Sequence, residues 1–158
     1  MTDAFVPTVK LISEEEASDE VRQIYNEIKE FYNLDFVPQQ YRALAHNVDH
    51  LREDWQIERA WYEGELGMDA KTADIIGLTV AATRACPYCI NWHTTTLKAA
   101  GMSDADIENL INVVSLANSG VTFVTGTQLT PDITPGLAER MAQSPAMQSE
   151  RKRMTRAA

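Results

Sequence analysis

The chain lacks most of the features that announce a protein class. Among its 158 residues it has two cysteines, Cys86 and Cys89, too few for a framework of disulfide staples. No run of about 18 apolar residues is present, so no membrane span is expected. The first ten residues, MTDAFVPTVK, hold an acid at Asp3 and no apolar core, so no secretory signal is expected and the cytoplasm is the default compartment. Basic residues are scarce, 14 against 23 acidic ones, for a net charge of -9. Arg151, Lys152, Arg153 and Arg156 crowd into the C-terminal tail, which reads as solvated and leaves the rest of the surface strongly acidic. Such a surface repels phosphate backbones, so nucleic acid is not expected as a partner. Alternating strand patterns, internal repeats and low-complexity tracts are missing as well. What remains, 44% hydrophobic and 23% charged, is an ordinary globular composition. It fits one domain over 1–158, with a core at about 13–128 and a C-terminal extension at 129–158.

The periodicity is helical throughout. After an extended lead-in with Pro7, Ser13 and Glu16 form a capping box, and Val21, Ile24, Tyr25, Ile28, Phe31 and Tyr32 recur at three and four. Asn33 to Pro38 reads as a connection, followed by a short helix from Gln39 to His46. Asn47 or Asp49 caps a longer helix to Tyr62, and Gly64 and Gly67 mark its break. Asp69 caps a helix from Ala70 to about Ala85 that is apolar on nearly every side, which predicts a place at the centre of the fold. Pro87 opens the next helix and Gly101 ends it. Ser103 with Asp106 opens another that continues past Gly120 to about Thr125, since one interior glycine costs only about 1 kcal/mol. Residues 126–134 read as a loop, and Thr134-Pro135 and Ser144-Pro145 as starts of short terminal helices. The fold class is all-α.

The chemistry concentrates in Asp74 to Gly101, which holds both cysteines and His93, one of three histidines. On one helix, at about 100° per residue, Cys89 lies roughly 60° from Cys86 and His93 roughly 40° from Cys89. Two thiols and an imidazole then share a stripe at a helix start. The unpaired N–H groups there favour thiolate, and a Cys-x-x-Cys pair can close a disulfide across one turn. These parts suit thiol redox chemistry, in which a peroxide oxidises one thiolate to sulfenic acid and the second condenses with it. A dithiol then resets the pair.

The pattern Cys86-x-x-Cys89-x-x-x-His93, with an acid twelve residues before the first cysteine, resembles the AhpD-like alkylhydroperoxidase branch of the carboxymuconolactone decarboxylase superfamily. More narrowly, it is similar to that group's uncharacterised peroxidase-related proteins. F-V-P at Phe36–Pro38, R-A-L-A-H at Arg42–His46 and A-A-G-M-S-D-A-D-I at Ala99–Ile107 supply the context. The resemblance implies an AhpD-like helical bundle with a central helix-turn-helix carrying the motif, assembled as a homo-oligomer, a trimer or hexamer. It implies a hydroperoxide substrate, a protein or small dithiol reductant, and no metal or organic cofactor. By position it makes Cys89 the cysteine that becomes sulfenic acid, Cys86 its proton donor and resolving partner, and His93 part of the proton relay. The relay glutamate falls on Asp74, and a histidine often found beside the second cysteine falls on Tyr88. Asp74 lies about 18 Å below Cys86 along a continuous helix, and a returning helix brings His93 about 10 Å back down. A gap of several ångströms, filled by side chains and water, is therefore expected between His93 and the shorter acid, with Glu58 or Glu63 as substitutes.

Other readings stand beside this one. The cysteines and His93 also fit buried thiols with a core histidine, or a zinc site with Asp74 as fourth ligand. Asp74 also fits a salt bridge to Arg84 or Arg42. Tyr88 and Trp92 read as pocket wall or oligomer contact, Trp55 and Trp61 as core or interface aromatics, and His46 and His50 as surface or capping groups. Beside the peroxidase stand a decarboxylase-like lyase, against which the paired cysteines argue, and a non-enzymatic redox-sensing oligomer.

Overall fold

The computed structural model describes residues 6–132, 135–149 and 153. Thr134, Arg151, Lys152 and Arg156, which carried a cap and most of the basic tail, lie outside the described residues. Among those described there is no strand, and the helices run α1 Asp19–Tyr32, α2 Gln39–Leu44, α3 Val48–Tyr62, α4 Ala70–Thr83, α5 Pro87–Ala99, α6 Asp104–Gly126 and α7 Pro135–Ala142. A further helical stretch at 145–149 begins after Ser144, whose hydroxyl accepts the Met147 N–H at 3.3 Å. The chain divides into two compact units, Met1–Ile111 and Asn112–Ala158, with the division inside α6.

Local chemistry explains the boundaries of the first unit. The Ser13–Glu16 box forms, but it closes only a single turn, and α1 starts later, where the Ser18 hydroxyl accepts the Val21 N–H. Asn47 rather than Asp49 caps α3, taking the N–H groups of Asp49 and His50 at 3.1 Å each. Asp69 caps α4 by accepting from Thr72. α1 turns one apolar face inward, and Val21, Ile24, Tyr25 and Ile28 pack with Val37 of the connection that follows and with Tyr41, Leu51 and Trp55 from the next two helices.

α4 departs from the expectation of burial on all sides. Ala73, Asp74, Gly77, Leu78 and Ala81 are buried, whereas Ile76 and Val80 on the other face are 46% and 55% exposed. Its small residues fall on the face that meets α5, which lets the two helices approach closely. That pair is the most extensive helix contact in the first unit, and α3 lies against α4 beside it. In the second unit, α6 runs through Gly120 and ends at Gly126, one residue past the expected end. Along it Leu116, Val121 and Phe123 are 75%, 63% and 65% exposed.

Candidate active site

The turn between α4 and α5 is made by an alanine. Ala85 takes a left-handed φ of 52°, while the Cys86 N–H returns to the Ala81 carbonyl at 3.0 Å and the Ala85 N–H to that of Ala82 at 3.4 Å. This is the pattern that ends helices in which glycine normally occupies the left-handed position, and a Cβ there costs about 1–2 kcal/mol. The sharp reversal places Cys86 directly at the N-cap of α5, with Pro87 as the first helical residue. The Cys86 sulfur accepts the Cys89 N–H at 3.3 Å, and a disulfide joins the two cysteines across 5.4 Å between Cα atoms.

His93 stands one turn further along α5, on the face toward α4. Its Nδ1 lies 2.8 Å from Oδ1 of Asp74, so the expected gap between imidazole and acid does not exist. Gly77 is the reason. A Cβ built on it would come within 2.8 Å of Nδ1 and 2.6 Å of Nε2 of His93, closer than real contacts allow. The missing side chain lets the imidazole lie against the α4 backbone and brings the short aspartate into direct reach. On the opposite side the Trp61 indole stacks on the imidazole, with ring centres 6.2 Å apart and planes 16° from parallel. The ring is held from both sides.

Asp74 is 3% exposed, and its environment explains how a carboxylate tolerates this. The Tyr62 hydroxyl donates to the same Oδ1 at 3.0 Å, and the Trp92 Nε1–H donates to the Tyr62 oxygen at 3.0 Å. A buried carboxylate is stable only when so partnered. With the carboxylate ionised, Nδ1 of His93 must carry the proton between them, which leaves Nε2 as the nitrogen that exchanges protons. The Tyr62 phenol is pushed upward, first by burial and then by the Asp74 charge, so it remains a donor. Among the described residues no ion pair joins Asp74 to Arg84 or Arg42; Arg42 instead donates to the Ile12 carbonyl at 3.3 Å.

These groups face a cavity of about 240 Å³ between two walls. α5 supplies Tyr88, Cys89, Trp92 and His93; α3 supplies Asp54, Ile57, Glu58, Trp61 and Tyr62, and Gln40 of α2 completes the lining. Cys89 lines this cavity and Cys86 does not. Glu58, half-buried, accepts from the Tyr32 hydroxyl at 2.8 Å, with the Tyr41 phenol beside it. Burial raises its carboxyl above the usual range, the neighbouring Asp54 adds to this, and the two phenols and His93 oppose it without cancelling it. Glu63 is outside the cavity lining and pairs with Arg59 at 2.9 Å. The Tyr88 hydroxyl accepts the Gln40 N–H at 3.2 Å and so ties α5 to the start of α2.

The remaining sequence candidates fall away from this centre. Trp55 belongs to the core, while Trp61 serves the site by stacking on His93. His46 bonds the Lys10 carbonyl at 2.8 Å and His50 sits in the first turn of α3. Among the described residues no group of three or more His, Cys, Asp or Glu side chains is arranged to hold a metal ion. Sequence reasoning missed Gly77 and Tyr62. The signal for the first was present, since Gly77 follows Asp74 by three residues and shares its helix face.

Fold and site together define an all-helical protein with a disulfide-forming Cys-x-x-Cys at the turn of a helix hairpin and an imidazole–carboxylate pair beneath it. Comparison with known proteins agrees on the fold. The sequence pattern of the carboxymuconolactone decarboxylase family matches residues 55–126. The crystal structure of the alkylhydroperoxidase AhpD core from Rhodospirillum rubrum superposes with a TM-score of 0.74 at 28% identity, covering 81% of this chain and 96% of that one. An (R)-2-haloacid dehalogenase from Pseudomonas putida is 27% identical over 110 residues, 70% of this chain but 36% of the dehalogenase. The chain thus spans about a third of that relative's length. The matched pattern and the likeness to the AhpD core together support the superfamily of AhpD-like alkylhydroperoxidases and carboxymuconolactone decarboxylases for this chain.

Proposed function

We propose that the protein is a thiol-dependent peroxidase that reduces hydroperoxides through Cys89 and Cys86, within the peroxidase-related branch of its superfamily. The observation that carries this reading is a disulfide-forming pair of which only Cys89 opens onto the cavity shared with His93. In the reduced state His93, oriented by Asp74, takes the Cys89 proton. The thiolate attacks the terminal peroxide oxygen, the O–O bond breaks, and Cys89 becomes a sulfenic acid as the alcohol leaves. Cys86 then attacks the sulfenic sulfur, releasing water and closing the disulfide. A dithiol of protein or small-molecule origin reduces it, and no metal or organic cofactor takes part. Such a cycle needs a compartment that supplies dithiols, which favours the cytoplasm.

Electrostatics argue against acid substrates. A carboxymuconolactone or a haloacid carries a carboxylate, yet the cavity presents Asp54 and has no lysine or arginine in its lining. The decisive experiment is peroxide consumption with a dithiol reductant. Wild type turns over continuously, Cys89→Ser is inactive, and Cys86→Ser stops after one equivalent with Cys89 as sulfenic acid. Equal rates in all three would sink the assignment. A disulfide that forms without turnover, while partner binding changes, would point instead to a redox sensor.

The exposed apolar residues of α4 and α6 support homo-oligomeric assembly, as a trimer or hexamer, because large apolar surfaces seldom stay open to water. Light scattering on the purified protein should give three or six subunits. A monomer at micromolar concentration would exclude this.

A further inference from the structure

The hydroperoxidase cycle has a step that the α5 wall is poorly placed to serve. In a displacement at oxygen, the leaving oxygen departs on the side opposite the attacking sulfur. A peroxide in line with Cys89 therefore sends its alkoxide away from α5, toward the α3 wall. An alkoxide is a poor leaving group unless it is protonated as it departs. The α3 wall carries two acids. Asp54 is held by the Gln40 amide at 3.2 Å. Glu58, one helical turn before Tyr62 on the same helix, lines the cavity and is anchored by the Tyr32 hydroxyl.

We propose that Glu58 is a further catalytic residue of this site, the acid that protonates the departing alkoxide, with the Asp74–His93 pair confined to activating Cys89. This rests on the hydroperoxidase reading. Charged and titratable groups face it from each neighbouring element: Tyr32 of α1, Tyr41 of α2, Asp54 and Tyr62 of α3, and His93 of α5. Four of these five are phenols or an imidazole, and burial, the largest influence, raises the carboxyl above its ordinary range.

The cycle balances. The Cys89 thiolate, a hydroperoxide and the Glu58 carboxylic acid give Cys89 sulfenic acid, an alcohol and the Glu58 carboxylate. The Cys86 thiol and the sulfenic acid give the disulfide and water. An external dithiol reduces the disulfide to two thiols and is itself oxidised to a disulfide. The Cys89 proton then passes through His93 to Glu58, restoring the starting state. The reductant supplies both electrons that the peroxide consumes.

The test uses two oxidants that differ in leaving group. tert-Butyl hydroperoxide expels a basic alkoxide, whereas peracetic acid expels acetate, which needs no proton. Glu58→Gln should lower kcat/KM for tert-butyl hydroperoxide about 100-fold, the usual contribution of a general acid, and leave that for peracetic acid nearly unchanged. Glu58→Asp should recover part of the loss. An equal loss on both oxidants, or no loss on either, would overturn the assignment, since a merely structural glutamate cannot distinguish leaving groups. Should the glutamine variant fail to fold, Glu58→Asp is compared on the same pair and judged in the same way. Wild-type protein that consumes neither oxidant would instead overturn the hydroperoxidase reading itself.

Discussion

The two walls of the cavity each offer a carboxylate to a tyrosine, and they treat it differently. On the hairpin wall Asp74 is almost wholly buried, and one oxygen receives both the Tyr62 hydroxyl and the His93 imidazole. On the α3 wall Glu58 is half-buried and held by a phenol, and it opens to the cavity itself. A carboxylate locked to an imidazole serves best as a fixed charge that orients its partner. A carboxyl among phenols, without a cation in contact, serves best as a proton store. The same residue chemistry is divided into two tasks by what stands beside it.

The sharpest way to break this division is Asp74→Asn. The amide keeps the shape but no longer imposes the Nδ1 tautomer on His93, so the Cys89 proton acceptor is lost. Activity should fall about 100-fold or more for tert-butyl hydroperoxide and peracetic acid alike, because thiolate formation precedes both reactions. A loss confined to the poorer leaving group would merge the two tasks. Next in size comes the selective effect of Glu58→Gln. The smallest effect is on stability. The folded state holds the Glu58 proton more tightly than the unfolded chain, whose carboxyl titrates near 4.5. Its contribution is therefore complete below that pH and is lost as pH rises through the higher folded value, at about 1.4 kcal/mol per unit of difference. Thermal unfolding from pH 7 down to pH 4.5 should show wild type gaining stability relative to Glu58→Gln. A gap that widens in favour of glutamine as pH falls would contradict the direction of the shift.

How far the sequence revealed this arrangement depends on the kind of signal. Caps and periods are local, so Asn47, Asp69, Pro87 and the long α6 through Gly120 could be placed from neighbours alone. The false start at Ser13 shows the limit: the box is real, yet Ser18 offers a second cap whose helix buries Val21 and Ile24. α4 reads as buried all round because hydropathy does not say which neighbours a single chain supplies. The cysteine and histidine stripe was legible from spacing. The contact between His93 and Asp74 was not, since helix rise gives the height of each residue but not the distance between axes. That distance depends on Gly77, a residue whose contribution is the absence of a side chain. The left-handed turn escaped notice for the opposite reason: Ala85 sits where the rules lead one to look for glycine.

The aromatic lining has an optical consequence. Of the three tryptophans, Trp61 is stacked on His93, and Trp92 lies within one turn of Cys89 with its indole N–H donated to Tyr62. Disulfides quench nearby indole emission by accepting an electron from the excited ring, while Trp55 is packed in the hydrophobic core with α1. The cavity thus carries its own fluorophores, and opening or closing the Cys86–Cys89 bond is written into the protein's intrinsic light emission.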